Sequence, residues 1–220
     1  MLQMSKDYEL RCQIIDTCRW LRQQGLVFGT WGNISVRMDD GNIMITPSKV
    51  DYDQMVPEDM VVLSPDGEVV SGHRLSTSER EIHLGVMRKR PDINAIIHMH
   101  STYAMACAAR NEAIPPFSEE ICQLIGGEIP LTHTFVPSAD HKELGRVTVE
   151  SVTEANAILL RNHGPMCFGR TLEEAKVTCQ VLEKSCKIFM HLRAAGDYSV
   201  VPEEHVLGGR NYFLHSYGKT

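Results

Sequence analysis

The 220-residue sequence predicts an α/β domain in which a mixed sheet is covered by helices on both faces. Short antiparallel hairpins crowd the first third of the chain, whereas later apolar strands alternate with helical segments. Neither G-x-G-x-x-G nor G-x-x-x-x-G-K-[ST] occurs, so a dinucleotide-binding or P-loop architecture is not expected.

The elements follow in order. Leu10, Ile14, Ile15, Cys18 and Leu21 recur at helical spacing and predict a helix over 6–25, ending at Gly25. A glycine-interrupted stretch, Phe28 to Asn33, leads into a strand over 34–38. Asp39-Asp-Gly-Asn42 then turns the chain into a second strand, 43–46. Residues 61–70 read as another hairpin across Pro65-Asp-Gly67. After Ser76-Thr-Ser78 the pattern becomes helical through Lys89, with Thr77 or Ser78 as the hydroxyl cap and Arg90-Pro91 as the stop. A buried strand is expected over 94–100, then a helix over 102–110 and a stretch without clear pattern over 111–135. A helix near 139–154, a strand over 157–160 followed by a Gly-Pro turn, and a long helix over 171–195 complete the body. The last 25 residues are expected to be irregular.

Composition narrows the function. A net charge of −6, with Arg88-Lys-Arg90 as the one basic run, offers no stripe to neutralise phosphates, so nucleic acid is not an expected partner. Seven cysteines without C-x-x-C spacing sit largely in apolar helical patterns and read as reduced, buried thiols. No apolar run approaches the length of a membrane span, and Met1 to Asp7 lacks a signal-peptide core. A single domain over 1–220, cytoplasmic and not membrane-bound, is therefore expected.

Three histidines carry the chemistry. His98 and His100 are two apart in a predicted strand, and alternate strand residues point to the same side. His163 follows the apolar run Ala157 to Leu160, so two strand ends meeting at one edge would bring the three imidazoles together. Three nitrogen ligands with a fourth position free is the arrangement of a catalytic zinc site, not a structural one. Glu79 begins a helix directly after two hydroxyl residues. It can be a first-turn acid favoured by the helix dipole, a metal ligand, or a proton carrier beside the metal. Glu81, on a different face of that helix, is an alternative that spacing does not exclude.

Taken together, Gly29-Thr-Trp-Gly-Asn33 with Ile34-Ser-Val-Arg37, Ile45-Thr-Pro-Ser48, Ser76-Thr-Ser-Glu79, Arg90 through Ser101, and Asn162-His-Gly164 resemble the class II aldolase/adducin superfamily. The similarity is strongest to its L-fuculose-1-phosphate aldolase branch and extends from about residue 8 to 195. The resemblance implies a three-layer α/β/α sandwich around a mainly antiparallel sheet. It also implies one Zn²⁺ or another divalent metal per chain, and a homotetramer with active sites between subunits. It makes His98, His100 and His163 the ligands, and Glu79 the acid/base group that can also occupy the metal. The phosphate-binding positions fall on Gly32, Asn33, Ser48, Lys49, Thr77 and Ser78, with Thr30 in the same glycine-rich turn. Backbone amides, hydroxyls and a helix N-terminus suit a phosphate. The implied reaction is retro-aldol cleavage of a ketose 1-phosphate into dihydroxyacetone phosphate and an aldehyde through a metal-stabilised enediolate.

Three positions depart from the family pattern. Lys49 stands where glycine commonly follows the hydroxyl residue. Glu119 falls near the position of a tyrosine that the fuculose enzymes supply from a neighbouring subunit. Phe135 to Lys142 replaces the usual sequence there, with His133 and His141 nearby, both expected at the surface or an interface. Tyr212 and Tyr217 could fold over the pocket from the tail. Similar ribulose-phosphate 4-epimerases carry Asp in place of Glu79, and methylthioribulose-phosphate dehydratases generally lack an acid there, so Glu79 favours carbon–carbon cleavage. A decarboxylase of a 3-oxo-tetronate 4-phosphate keeps the glutamate and is the alternative. A non-enzymatic adducin-like module would not need the three histidines and Glu79.

Overall fold

The computed structural model describes residues 5–218, so part of the Met1 to Asp7 reading lies outside the described residues. Seven strands form one sheet: β1 (Asn33–Arg37), β2 (Ile43–Ile45), β3 (Val61–Leu63), β4 (Val69–Ser71), β5 (Ala95–His98), β6 (Ala157–Leu160) and β7 (Gly164–Gly169), in the order β4-β3-β2-β1-β5-β7-β6. Every pairing between them is antiparallel. The expected mixed sheet is therefore antiparallel throughout its named strands; a single parallel bridge joins Leu131 to Leu159.

Side-chain alternation builds the layers. Ile34, Val36, Met44, Val62, Ala95, Ile97, Leu159 and Cys167 point to one face. There they bury against α1 (Lys6–Gln23), α3 (Thr102–Ala109) and α5 (Leu172–Ala195). Ile43, Ile45, Val61, Leu63, Ile96, Ile158, Leu160, Met166 and Phe168 point to the other, against α2 (Arg80–Lys89) and α4 (His141–Ser151). Two apolar layers about one sheet make the three-layer α/β/α sandwich, and burial on both faces explains why β5 and β6 read as continuous apolar runs.

Several expectations change in detail. The stretch after His163 is not a turn but strand β7, whose residues from Gly164 to Gly169 are all buried. Gly and Pro at its start disguised it, because both are poor strand signals. The expected hydroxyl cap of α2 is absent: Glu79 is the N-cap and makes no side-chain capping bond, while Thr77 Oγ1 accepts the Glu79 amide at 3.4 Å. Within 111–135, Ile121–Ile125 form a π-helix closed by Gly126 at φ 96°.

The tail is a further correction, since Glu203–His215 form helix α6. None of its residues is buried and Gly208-Gly209 interrupts it, so no apolar stripe signalled a helix. Arg210 secures it by donating to the carbonyls of Gln123 and Leu124. Tyr212 and Tyr217 meet edge to face there, and neither lines the cleft of the histidines.

Six of the seven cysteines are buried and all are free. No described helix is long and apolar enough to cross a membrane.

Candidate metal centre

The register of the central strands assembles the site. Asn33 lies directly opposite His98 across the β1–β5 ladder, and Met166 of β7 opposes His98 from the other side. His98 is thus held in mid-sheet. His100 lies just past the end of β5, so its approach does not depend on a strand reaching residue 100. Arg161-Asn-His163 is the connection between β6 and β7, and Asn162 takes φ 54° to turn it. Asparagine tolerates that left-handed conformation better than most residues. The third imidazole comes from a hairpin tip beside the end of β5, which the two-strand-edge reading anticipated without the intervening β7.

The three rings converge. Their centroids are 4.8, 4.9 and 5.0 Å apart and their planes cross at 74° to 82°. One ligand nitrogen from each lies within 4.8 Å of the others. His98 Nδ1 is 2.9 Å from the Pro165 carbonyl oxygen, which can only accept, so the proton sits on Nδ1. His98 Nε2 therefore presents its lone pair toward His100 Nε2, at 2.9 Å. Fixing a ring through its other nitrogen is how proteins orient metal-binding imidazoles. Burial pushes His98 below the usual histidine range and His100 down to about 3, keeping both lone pairs free. The donor set suits a divalent transition metal.

Gly164 makes room for this convergence. A Cβ there would stand 2.6 Å from the Met99 carbonyl oxygen and 3.3 Å from ring carbons of both His98 and His100.

Glu79 closes the arrangement. Its Oε1 is 3.2 Å from His163 Nε2 and its Oε2 is 3.5 Å from His98 Nε2. Burial alone would raise this carboxyl, but hydrogen bonds from His163 and Asn33 counter it and hold it below the usual carboxylate range. Glu81 is turned away and pairs with Arg80 at 3.5 Å.

A cleft of about 550 Å³ opens onto Glu79, His100 and His163. Thr30, Gly32, Asn33, Ser48, Lys49, Thr77 and Ser78 all line it, so the structure brings these sequence-derived candidates together. Gly32 is sterically required, since a Cβ would meet Val27 at 2.8 Å and the His98 carbonyl at 3.1 Å. Lys49 takes φ 59°, a left-handed conformation that glycine adopts without steric cost. Among the described residues it has no ion-pair partner. Asn33 spends its side chain within the protein: Nδ2 donates to Glu79 Oε2 at 2.7 Å, and Oδ1 meets His83 Nε2.

Glu119 is exposed and outside this cleft. His133 is exposed beside Ser151, and His141 begins α4; neither lines the cleft. Three residues were missed by sequence reasoning. Ser138 lines the mouth, and Tyr52 donates its buried hydroxyl to the Gly32 carbonyl at 2.6 Å. His83, four residues after Glu79 and hence on the same helix face, carried a spacing signal that could have found it.

Residues 12–190 match the family model described as class II aldolase and adducin N-terminal domain. The chain belongs to the class II aldolase and adducin family. Among relatives in this family, 5-deoxy-D-ribulose 1-phosphate aldolase of Bacillus thuringiensis serovar kurstaki is 32% identical over 199 residues, covering 89% of this chain and 91% of the relative. An L-ribulose-5-phosphate 4-epimerase of Salmonella paratyphi C is 32% identical, covering 82% and 83%. A solved L-fuculose 1-phosphate aldolase superposes with a TM-score of 0.86 at 30% identity, covering 96% of this chain and 98% of that one. L-fuculose-1-phosphate aldolase from Thermus thermophilus gives 0.71 at 27% identity, covering 84% and 96%. These relatives are sugar-phosphate aldolases and an epimerase, which supports an enzyme, and the His98, His100 and His163 cluster is of a kind that could hold a metal ion.

Proposed function

We propose that this protein is a zinc-dependent aldolase that cleaves a ketose 1-phosphate, resembling L-fuculose 1-phosphate, into dihydroxyacetone phosphate and an aldehyde. The observation that carries the reading is an anionic Glu79 seated 3.2 and 3.5 Å from two of three convergent imidazoles, at the inner end of a polar cleft. His98, His100 and His163 would hold a divalent cation, which would supply Lewis acidity toward the substrate.

The chain's own groups do the rest. Ser48, Thr77, Ser78 and the Lys49 ammonium bind the phosphate in front of the α2 N-terminus, whose dipole favours an anion. Glu79 moves a proton to or from the carbon that gains or loses its partner in cleavage. Its Oε2 is tied to Asn33 and its Oε1 lies 3.2 Å from His163 Nε2. No lysine imine is needed, and the one lysine lining the cleft is assigned to the phosphate.

The functional unit is one domain spanning 1–220, working in the cytoplasm as a homotetramer with sites at subunit interfaces. Exposed Phe28, Trp31 and Leu75 support that assembly. Trp31 lines the cleft and lies 6.2 Å from His100 ring to ring, and the Leu75 carbonyl accepts from the Ser48 amide, so exposed apolar residues stand beside the cleft. Glu119, exposed and outside its own cleft, is free to serve a neighbour's site.

A 4-epimerase is the second reading, because a relative at 32% identity carries that name. The longer acid at position 79 weighs toward cleavage without re-addition. The metal-loaded protein should be incubated with ketose 1-phosphates, L-ribulose 5-phosphate and a 3-oxo-tetronate 4-phosphate. Dihydroxyacetone phosphate is the expected product; carbon dioxide or a 4-epimer in its place would assign the decarboxylase or the epimerase. Glu79→Gln should retain metal yet lose about 10² to 10⁴ in turnover.

A further inference from the structure

We propose that His83, held by Ser35, is the positioning residue that fixes the Asn33 amide and, through it, the Glu79 carboxylate. The inference rests on the acid/base reading of Glu79 and adds residues behind it.

The geometry comes from two periodicities. Asn33 and Ser35 are two apart on β1 and face α2; Glu79 and His83 are four apart and face β1. His83 is wholly buried between them. Ser35 Oγ lies 2.7 Å from His83 Nδ1, His83 Nε2 meets Asn33 Oδ1, and Asn33 Nδ2 lies 2.7 Å from Glu79 Oε2.

Donor and acceptor chemistry gives this chain one direction. An ionised carboxylate only accepts, so the Asn33 amide nitrogen must donate to it. The Asn33 oxygen then faces His83, and an amide oxygen only accepts, so Nε2 carries the proton. The ring is wholly buried, which disfavours its charged form, leaving Nδ1 to accept from the Ser35 hydroxyl. Each group has one role, and reversing Asn33 would set its oxygen against the carboxylate.

Removing the His83 donor leaves the buried Asn33 oxygen without a partner and frees the amide to reverse. Glu79 then loses its only amide donor and with it a fixed side-chain direction. Such supporting hydrogen bonds commonly matter by about 10- to 100-fold.

The test has two arms. Long-range nitrogen–proton NMR of the metal-loaded, ¹⁵N-histidine-labelled protein should show His83 as the neutral ring protonated on Nε2. A ring protonated on Nδ1, or on both nitrogens at neutral pH, overturns the inference without reference to activity. In kinetics, His83→Phe should lower kcat about 10- to 100-fold with KM changed less than threefold and metal content unchanged. His83→Gln, whose amide can still donate, should recover most of that loss, and in an Asn33→Ala background His83→Phe should add less than about threefold. Wild-type kcat in His83→Phe, or no recovery in a folded His83→Gln, overturns the inference. Full turnover in Glu79→Gln would instead remove the acid/base reading while leaving the His83 tautomer as assigned.

Discussion

Gly164 lies against His98 so closely that a methyl group on it would stand 3.3 Å from the imidazole Cε1 and 2.6 Å from the Met99 carbonyl oxygen. The backbone contact cannot be relieved by a side-chain rotation. Gly164→Ala should therefore shift the start of β7, weaken divalent-metal affinity at least tenfold, and cost about 1–3 kcal/mol of stability. Chelator competition and thermal melts check this; unchanged affinity would show that the hairpin does not set the ring positions.

Single His98→Ala, His100→Ala and His163→Ala substitutions should each reduce the metal retained after dialysis from about one ion per chain. His98→Ala should also destabilise the fold, because its ring is fully buried and tied to Pro165. Elemental analysis of the dialysed variants decides it. Wild-type occupancy in any one removes that ligand.

Acid should destabilise the metal-free protein in a defined window. His83 is pushed by burial from 6.5 to about 3, so between those values the unfolded chain binds a proton the folded chain refuses. Its contribution is fully present above about 6.5 and is lost progressively as pH falls toward 3. His100, depressed to about 3 by burial, adds in the same direction. Urea midpoints measured from pH 7 to 4 should fall steadily in the wild type and less steeply in His83→Gln. Parallel curves would refute the assignment.

Lys49 offers a substitution with opposed effects. Its φ of 59° strains any residue with a Cβ by about 1–2 kcal/mol, which Lys49→Gly relieves. The variant should melt no lower than the parent. It also loses the only ammonium lining the cleft, so KM for a phosphorylated substrate should rise about tenfold while kcat changes little. An unchanged KM would take Lys49 out of phosphate binding.

Much of this was legible in the sequence because alternation and helical spacing are local signals. The strand ending at His98 and the helices over 102–110 and 171–195 could be read to within a few residues. The three histidines and Glu79 were legible as residue types in an ordered set of motifs. What escaped depends on the third dimension. Strand β7 opens with Gly and Pro, both poor strand signals, and the glycine is dictated by its closeness to Met99, His98 and His100. Helix α6 buries nothing and so leaves no periodic trace. His83 looks like any core histidine until the β1 register sets Asn33 and Ser35 beside it.

The placement of His98 on an interior strand has a thermodynamic consequence. With β1 on one side and β7 on the other, its ladder amides lie in the region expected to exchange hydrogen only when the whole molecule opens. A cation bound there cannot be released by fraying of the β4 margin. Its binding energy adds to global resistance to unfolding by mass action, so chelation should speed exchange across the entire sheet.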